Sequence, residues 1–361
     1  MAERAQDAAA PRRRWIRALQ VALSLSLAAG IFLFAIPRIA DYSAVWQTMS
    51  RLTRIELATL LAATALNLAL AWPVMTAAMP GLTIGRAAVN NLTTTSIANT
   101  LPGGGAIAVG VGYAMYRSWG YPRSAIALTT LVTGIWNAFA KLALPLVALA
   151  ILAVEGNATG ALVVAAEVGL LVLATGLVLL ALTLWRAAFA RSIGSGIGRI
   201  VSVVRRVFGK LPVSWEEAAL LFRKQAIRLL RNRWLALSIA TIASHLSLLL
   251  VLLLALRHVG VSGAEIGWAQ ILGVFAFGRL VSAFPITPGG LGIVELSYIG
   301  GLVLAGRDHA DVPPELFRAQ VAAAVLVFRT MTYALPIPIG SAAYLVWHRG
   351  ARGGAIRPRE S

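Results

Sequence analysis

The sequence predicts an all-α polytopic membrane protein with about six full transmembrane helices and two re-entrant hairpins in inverted-topology repeats. Three observations lead to this prediction. Apolar residues fill 58% of the 361 positions and charged residues only 13%, whereas soluble domains carry roughly 25% charged residues. Several apolar segments are long enough to cross a bilayer. Finally, the tripeptide Pro-Gly-Gly interrupts two further apolar segments at corresponding places in the two halves of the chain.

The composition also excludes several classes of protein. Glycine raises the apolar share to about 67%, which is too much for a single soluble core or for a disordered chain. The sequence contains no cysteine, so a disulfide-stapled secreted scaffold, a thiolate zinc site and a cysteine nucleophile are excluded.

Six segments have the length and composition of full spans, because about 20 mostly apolar residues cross the hydrocarbon core. The first follows Arg12, Arg13 and Arg14, but it is longer than a signal-peptide core and has no clean cleavage site. We therefore expect a retained anchor. The predicted spans are approximately 18–37, 56–79, 124–153, 160–185, 234–256 and 317–347.

Two more stretches, 86–117 and 265–306, are apolar but broken near their middles. The arm 87–101 is rich in Asn, Thr and Ser, and such backbone is tolerated at membrane depth only inside protein or beside a cavity. We interpret both stretches as hairpins that enter and return on the same side. If each stretch is instead two short full crossings, the chain still returns to the side of the membrane from which it entered.

The basic residues predict the orientation. With the N-terminus inside, 23 of the 32 Lys and Arg residues lie on the cytoplasmic side and five lie outside, as the positive-inside rule requires. Topology therefore accounts for most of the net charge of +18, and no nucleic-acid partner is needed to explain it. The predicted parts are a cytoplasmic N-terminus at 1–17, a first membrane half at 18–185, a cytoplasmic loop at 186–233, a second membrane half at 234–347 and a cytoplasmic tail at 348–361.

The loop 186–233 carries two helical patterns. Apolar residues recur at helical spacing from Ile193 to Phe208 opposite arginines, which is typical of a helix lying on an anionic leaflet. Ser214 and Glu217 form a capping-box pattern that predicts a second helix to about 231. These helices either pack under the bundle or recruit a partner, and the sequence leaves both alternatives open.

The two halves share an order of parts: a span, a broken hairpin and a span that carries Ala-Leu-Pro. Because the first hairpin opens to the cytoplasm and the second to the outside, the halves are related by inversion. Inverted repeats with interrupted helices are typical of secondary transporters, which hold substrate near the midplane. The corresponding tripeptides are Pro102-Gly103-Gly104 and Ala143-Leu144-Pro145, and Pro288-Gly289-Gly290 and Ala334-Leu335-Pro336.

Each break starts a returning helix deep in the membrane. The first amides of such a helix lack intrahelical partners and carry the positive end of its dipole, and glycine allows close approach to a ligand. The two breaks are therefore candidates for binding a phosphate-bearing headgroup. The alternative is that Thr287 caps, and Pro288 begins, an ordinary buried helix.

Ionisable residues inside the bilayer usually face a cavity or a partner. Lys141, Arg279 and Arg329 supply cations for an anion-attracting centre, while Glu295 pairs with one of them, carries a proton or complements its own helix dipole. His245, beside Ser244, is expected to hydrogen-bond between helices, with a role in a proton relay as the alternative. The candidate substrate-binding residues are Asn99, Pro102, Gly103, Gly104, Lys141, Arg279, Pro288, Gly289, Gly290, Glu295 and Arg329; we expect no catalytic residue, metal ligand or cofactor.

Three motifs resemble the lysylphosphatidylglycerol synthase transmembrane region. They are Phe284-Pro-Ile-Thr-Pro-Gly-Gly-Leu-Gly-Ile-Val-Glu295, Phe328-Arg329-Thr-Met-Thr-Tyr333 and Asn99-Thr-Leu-Pro102-Gly103-Gly104. The resemblance covers about 18–347 and implies a bacterial membrane domain that flips lipids or lipid-linked headgroups. Full synthases carry a soluble aminoacyl-transfer domain after the membrane part, which this sequence lacks, so lysyl transfer is not expected. Relatives also place an acidic residue after the first Pro-Gly element, where Gly105-Ala106 stands here.

Three functions are compatible with these features. The leading hypothesis is a lipid translocase of the bacterial cytoplasmic membrane, which binds a phospholipid or a polyprenyl-phosphate-linked lipid through its anionic headgroup or phosphate. The second is a non-transporting partner that scaffolds or regulates a lipid-modifying enzyme. The third, an intramembrane enzyme, has no Ser/His/Asp set, paired carboxylates or metal cluster at usable spacing. Homo-oligomerisation stays open.

Overall fold

The computed structural model describes residues 41–101, 103–154, 160–188, 216–283 and 287–352, with residues 36–38 and isolated positions 26, 33, 192 and 195. The predicted first span at 18–37 lies outside the described residues except for positions 26, 33, 36 and 37, and the predicted surface helix at 193–208 does so except for position 195. Helices and no strands occur in the described ranges, as predicted. They are α1 Tyr42–Ser50, α2 Arg54–Ala78, α3 Ile84–Thr100, α4 Gly104–Ser118, α5 Arg123–Val154, α6 Gly160–Trp185, α7 Glu216–His258, α8 Trp268–Val281, α9 Ile293–Gly306, α10 Pro314–Arg329 and α11 Pro336–Arg352.

Five helical stretches in the described residues are long and apolar enough to cross a membrane. Three begin within three residues of the predicted spans, and a fourth, Val168–Trp185, ends at the predicted residue, because uninterrupted apolar length is the signal that both share. None of the 18-residue window in α6 is buried in the protein, as expected of a helix whose apolar surface faces lipid. The stretches are Arg54–Ala78, Arg123–Val154, Val168–Trp185, Ala219–His258 and Pro314–Gly350.

Helix α7 corrects one predicted boundary. The sequence predicts a helix that ends at about 231 and a separate span from 234, but a single helix runs from Glu216 to His258. This segment contains no Gly or Pro, so nothing in its backbone chemistry interrupts the helix. The basic residues before 234 therefore change the polarity of the helix without ending it.

Both Pro-Gly-Gly positions break the helices, as predicted. Gly103 adopts a left-handed conformation (φ 66°) immediately before α4. At the second break, residues 288–290 form a 3-10 turn in which Gly289 has φ 56°, and α9 begins only at Ile293. The alternative in which Pro288 begins an ordinary buried helix is wrong, because three glycines with positive φ intervene before α9. Thr287 is buried and donates its hydroxyl to the carbonyl oxygen of Leu291 (2.8 Å) rather than capping α9.

The two Ala-Leu-Pro tripeptides have different local structures. Pro145 lies inside the continuous helix α5. In the second half, a π-helical turn spans Thr330–Ala334 between α10 and α11, and the amide of Leu335 donates to the carbonyl oxygen of Thr330 at 2.9 Å. Pro336, whose nitrogen cannot donate, begins α11 after this turn.

The chain forms two compact units. One contains Met1–Ala69, Ala88–Trp119 and Ser244–Ser361, and the other contains Leu70–Ala87 and Gly120–Ala243. The predicted division into two membrane halves around a loop at 186–233 stays a prediction.

In the second unit, α5 packs on its neighbours through a small apolar core that includes Ala78, Leu128 and Leu237. Polar contacts support this core: Trp136 Nε1 donates to Ser238 Oγ at 3.0 Å, and Thr129 donates to the carbonyl oxygen of Ala78. This unit also carries Lys141, half-buried in α5.

In the first unit, α10 supplies the most deeply buried face, including Val321 to Val325. Helix α11 lies against α3, where Gly340 contacts the backbone of Leu92 so closely that no Cβ would fit. Ser96 of α3 donates to the carbonyl oxygen of Ile337 at 2.9 Å. These contacts hold the polar helix α3 against α11.

A polar contact also joins α2 to α7 within the first unit. The Asn67 amide donates to the carbonyl oxygen of Ser244 (3.0 Å) and to Ser247 Oγ (2.9 Å). His245 is buried beside them. Asn67 therefore makes interhelical hydrogen bonds next to His245, and the interhelical bond of His245 itself stays a prediction.

Candidate functional site

Glu295 lies in the first turn of α9, at the second break. Gly292, with φ 82°, is the N-cap of the helix, and its amide donates to Glu295 Oε2 at 2.7 Å. A carboxylate at this position satisfies an amide that lacks an intrahelical partner and complements the helix dipole. Glu295 therefore complements the dipole of its own helix, which is one of the roles that the sequence leaves open for it.

The other carboxylate oxygen of Glu295 binds Arg329 at the end of α10. Arg329 Nε lies 2.6 Å from Glu295 Oε1, and the two side chains are 14% and 1% exposed, respectively. The cation that pairs with Glu295 is therefore Arg329. A buried pair of this kind needs hydrogen bonds on its remaining atoms to compensate for lost hydration.

The remaining groups of Arg329 reach the second break and the π-helical turn. Its Nη2 donates to the carbonyl oxygen of Gly289 at 3.0 Å. Its guanidinium carbon lies 4.5 Å from the centre of the Tyr333 ring, a cation–π distance. Gly289 is itself exposed, and its α-carbon lies so close to the Tyr333 ring that a Cβ would overlap the ring.

Tyr333 also contacts the arm that leads to the first break. Its hydroxyl donates to the carbonyl oxygen of Asn99, and Asn99 Nδ2 donates to the carbonyl oxygen of Tyr333 at 3.1 Å. Asn99 is the penultimate residue of α3, so this reciprocal pair lies next to the first Pro-Gly-Gly. One tyrosine thus contacts residues at both breaks.

The first break is itself tightly built. An added Cβ on Gly104 would lie 2.5 Å from the carbonyl oxygen of Ile97 and 2.9 Å from Ala98 Cα. Glycine at 104 therefore lets the start of α4 lie directly against the end of α3. Pro102 lies outside the described residues.

Arg279, in the last turn of α8, brings a second cation to this neighbourhood. Its Nε is buried and has no hydrogen-bond partner within the described ranges, and its charge interacts with Arg329 and with the Tyr298 phenol. Tyr298 is fully buried and packs edge-on against Phe328, with ring centres 5.6 Å apart. Gly278 leaves the space for the Tyr298 ring.

These three ionisable groups have a net charge of +1, because two guanidinium groups accompany one carboxylate. The carboxylate is occupied by Arg329 and by the amide of Gly292. The buried Nε of Arg279 has no such acceptor in the described part of the chain. A guanidinium with an unpaired N–H donor is suited to bind an anion.

The structure brings together most of the predicted site residues in the first unit. Arg329 pairs with Glu295 and interacts electrostatically with Arg279, and Arg329 and Tyr333 connect this pair to Gly289 and Asn99. Gly290 lies in the same turn, where its amide donates to the carbonyl oxygen of Thr287 at 3.0 Å. Pro288 begins that turn, and Gly103 and Gly104 follow Asn99 closely in the chain. Lys141 belongs to the second unit, and its predicted role in the site stays a prediction.

The candidate substrate-binding residues predicted from the sequence do not include two residues of this neighbourhood, Tyr298 and Tyr333, although Tyr333 ends one of the family motifs. Each follows a predicted charged residue by about one helical turn: Tyr298 is three residues after Glu295, and Tyr333 is four after Arg329. Residues at such spacing share a helix face. The signal that identifies them is therefore helical periodicity counted from the buried charges.

Long apolar helices, two glycine-rich breaks and a buried ion pair define this chain as a multi-pass α-helical membrane protein. It matches the family model for the Lysylphosphatidylglycerol synthase TM region over residues 19–340. Since the match covers most of the chain, the protein belongs to this family, as its motifs predict. The family is associated with membrane lipids. No curated protein matches the chain.

Proposed function

We propose that this protein is a lipid translocase that moves a phospholipid or a polyprenyl-phosphate-linked lipid across the bacterial cytoplasmic membrane. The observation that carries the proposal is the position of Tyr333, which contacts both helix breaks although it lies 234 residues from Asn99 in the chain. Interrupted helices that meet at a polar centre are typical of transporters that bind substrate near the midplane.

The charges support an anionic substrate group. Glu295 neutralises one guanidinium, and the net charge of +1 remains for a ligand. Arginine presents several N–H donors in a planar fork that matches phosphate oxygens. In the proposed complex, Arg279 binds the headgroup phosphate beside the exposed Gly289, while the acyl or polyprenyl chain stays in the bilayer.

Movement in this proposal needs small local changes and no bond making, so the protein acts as a carrier and not as an enzyme. The reciprocal Asn99–Tyr333 pair holds the first break against the π-helical turn. The Arg329–Gly289 hydrogen bond holds the second break against the end of α10. Each such bond contributes about 0.5–1.5 kcal/mol net. Breaking a few of them is compatible with rocking of one repeat against the other during transport.

Transport is tested with purified protein in vesicles. Fluorescently labelled phospholipids and polyprenyl phosphates are placed in both leaflets, and a membrane-impermeant reductant removes the outer signal. We expect the protein to expose the inner pool of at least one anionic lipid faster than protein-free vesicles do. The absence of protein-dependent exposure for every lipid in both sets would overturn the proposal.

One observation favours the second hypothesis, a non-transporting partner of a lipid-modifying enzyme. The first turns of α7 carry exposed basic side chains, including Lys224, Arg228 and Arg231, which offer a surface to an acidic partner. Changing these three residues to Gln and, separately, changing Gly289 to Ala distinguishes the hypotheses. A translocase loses lipid movement only with the glycine variant, whereas a scaffold loses co-purification of the enzyme only with the glutamine variant.

A further inference from the structure

A second polar feature lies at the opposite end of α9 from the candidate site. A cavity of about 410 Å³ is formed where α9 ends and α10 begins. Leu304 of the cavity wall follows Glu295 by nine residues in α9, which corresponds to about 13 Å along the helix axis. Its wall combines apolar side chains with two arginines: Val303, Leu304, Val312, Phe317, Arg307 and Arg318.

The charges around this cavity are segregated. Arg307 and Arg318 line it, while Asp308, Asp311 and Glu315 are exposed next to lining residues and do not line it. The one ion pair recorded here joins Arg307 Nε to the adjacent Asp308 (3.4 Å), and both side chains are more than half exposed. Exposed pairs of this kind contribute about 0–1 kcal/mol, so a ligand phosphate can compete for the guanidinium.

The cavity lies next to the start of a candidate membrane span. Helix α10 begins at Pro314, which is also the first residue of a candidate span. Leu304, in the cavity wall, is 62% exposed, which places an apolar surface beside the two cations. Pro313, the N-cap of α10, offers no side-chain hydrogen bond to the first-turn amides. Cations, free amides and an adjoining apolar surface suit a phospholipid whose phosphate lies at headgroup level.

We propose that this cavity binds a zwitterionic phospholipid with a primary ammonium group, namely a phosphatidylethanolamine. The phosphate lies between Arg307 and Arg318, the ammonium contacts the surrounding carboxylates, and an acyl chain covers Leu304. Carboxylates bind N–H donors directly, whereas choline is recognised by aromatic cages. Phe317 is the one aromatic residue of the lining. The proposal concerns a lipid site apart from the translocation site and does not rest on the proposed function.

The absence of cysteine from the sequence allows a site-specific test. Leu304→Cys introduces a single thiol in the cavity wall, to which a maleimide benzophenone is attached. The full chain is placed in vesicles of equal parts phosphatidylethanolamine, phosphatidylcholine and phosphatidylglycerol, irradiated, and the cross-linked lipids are identified by mass spectrometry. We expect phosphatidylethanolamine to be enriched about threefold over its bulk share, the size that one or two exposed ion pairs produce.

Charge variants in the L304C background decide the assignment. Arg307→Gln with Arg318→Gln should return the cross-linked lipids to the bulk ratio, while the matched control R51Q/R54Q, which removes two exposed arginines elsewhere, should keep the enrichment. The proposal would be overturned if phosphatidylethanolamine stays enriched among the cross-linked lipids in R307Q/R318Q. It would also be overturned if the L304C parent cross-links lipids in their bulk ratio, or if phosphatidylcholine or phosphatidylglycerol is the enriched lipid. Helix content and the melting temperature verify that each variant folds.

Two further arms keep the test decisive. If R307Q/R318Q fails to fold, the variant D308N/D311N/E315Q takes its place and should shift the cross-linked lipids toward phosphatidylglycerol; an unchanged preference would contradict the proposal. Excess soluble glycerophosphoethanolamine should leave the cross-links unchanged, because it lacks the acyl chain that covers Leu304. Full displacement by this soluble headgroup would show that the site does not require a lipid.

Discussion

The hydroxyl of Tyr333 donates to the backbone carbonyl of Asn99, and the Asn99 side-chain amide donates to the backbone carbonyl of Tyr333. This reciprocal pair joins the end of α3 to the π-helical turn before α11. Because Tyr333 also lies under the Arg329 guanidinium and against Gly289, one side chain couples both helix breaks to the buried ion pair. The pair is therefore the first place to test whether the breaks act together.

Tyr333→Phe removes the hydroxyl but retains the ring beneath Arg329. We expect a loss of about 0.5–1.5 kcal/mol in unfolding free energy together with slower lipid movement. Tyr121→Phe is the matched control, because it removes one tyrosine hydroxyl that donates to the carbonyl oxygen of Gly81 in the other unit. Thermal unfolding in detergent and vesicle transport are measured for both. Equal transport in the two variants would exclude a role for the Asn99–Tyr333 pair.

Arg329→Ala leaves the Glu295 carboxylate buried without its cation. Breaking such a pair costs about 3–5 kcal/mol, so we expect a large drop in melting temperature. Glu295→Gln combined with Arg329→Met removes both charges and keeps a capping side chain on Gly292, and should therefore regain most of the stability without regaining transport. A fully active double variant would remove the pair from the transport mechanism.

The exposed ion pair of Arg307 and Asp308 provides the control for the Glu295 and Arg329 variants. Asp308→Asn should change the unfolding free energy by about 0–1 kcal/mol, since both side chains face solvent. If Asp308→Asn and Arg329→Ala lower the unfolding free energy by comparable amounts, burial does not determine the cost of breaking an ion pair.

Gly289→Ala adds a Cβ where the φ of 56° is unfavourable and the Tyr333 ring occupies the space. We expect it to be the most damaging of three alanine variants. Gly103→Ala meets the same positive φ in open space, so it should cost only the backbone term of about 1–2 kcal/mol. Gly105→Ala, in the first turn of α4 with open space around it, should be neutral or stabilising. Melting temperatures in any other order would contradict this account.

Arg279→Met separates binding from stability. Since Arg279 Nε is buried without a hydrogen-bond partner in the described part of the chain and its charge faces that of Arg329, we expect the variant to be at least as stable as the natural chain. Loss of a charge-assisted contact to the headgroup should lower transport about tenfold. Arg54→Met, at an exposed position, is the control. A strongly destabilised Arg279→Met would instead assign Arg279 a structural role.

Much of the helical layout follows from the sequence, because span length and glycine-rich breaks are local signals. Helix α7 is the exception. The change from basic to apolar residues near 233 marks a change of surroundings, but it contains no helix-breaking residue, so the helix continues through it. The late start of α9 is likewise hidden, because Pro288 alone is a favourable first helical residue, and only the positive φ values of the following glycines delay the helix.

The candidate site is predictable in its residue types but not in its pairings. Buried charges identify Arg279, Glu295 and Arg329, since such residues are costly in a membrane without a function. Periodicity along one helix carries no information on which cation reaches Glu295, because that depends on how α9 and α10 pack. The contact of Asn99 with Tyr333 spans 234 positions, and no local pattern encodes a contact of that range.

The net charge of +1 at Arg279, Glu295 and Arg329 also has an electrical consequence. A bound monoanionic headgroup brings the sum to zero, so a loaded site that moves through the membrane field carries no net charge, while an empty one carries a positive charge. Moving one elementary charge through 100 mV corresponds to about 2.3 kcal/mol. The membrane voltage would then act on the return of the empty carrier and leave the loaded step unaffected.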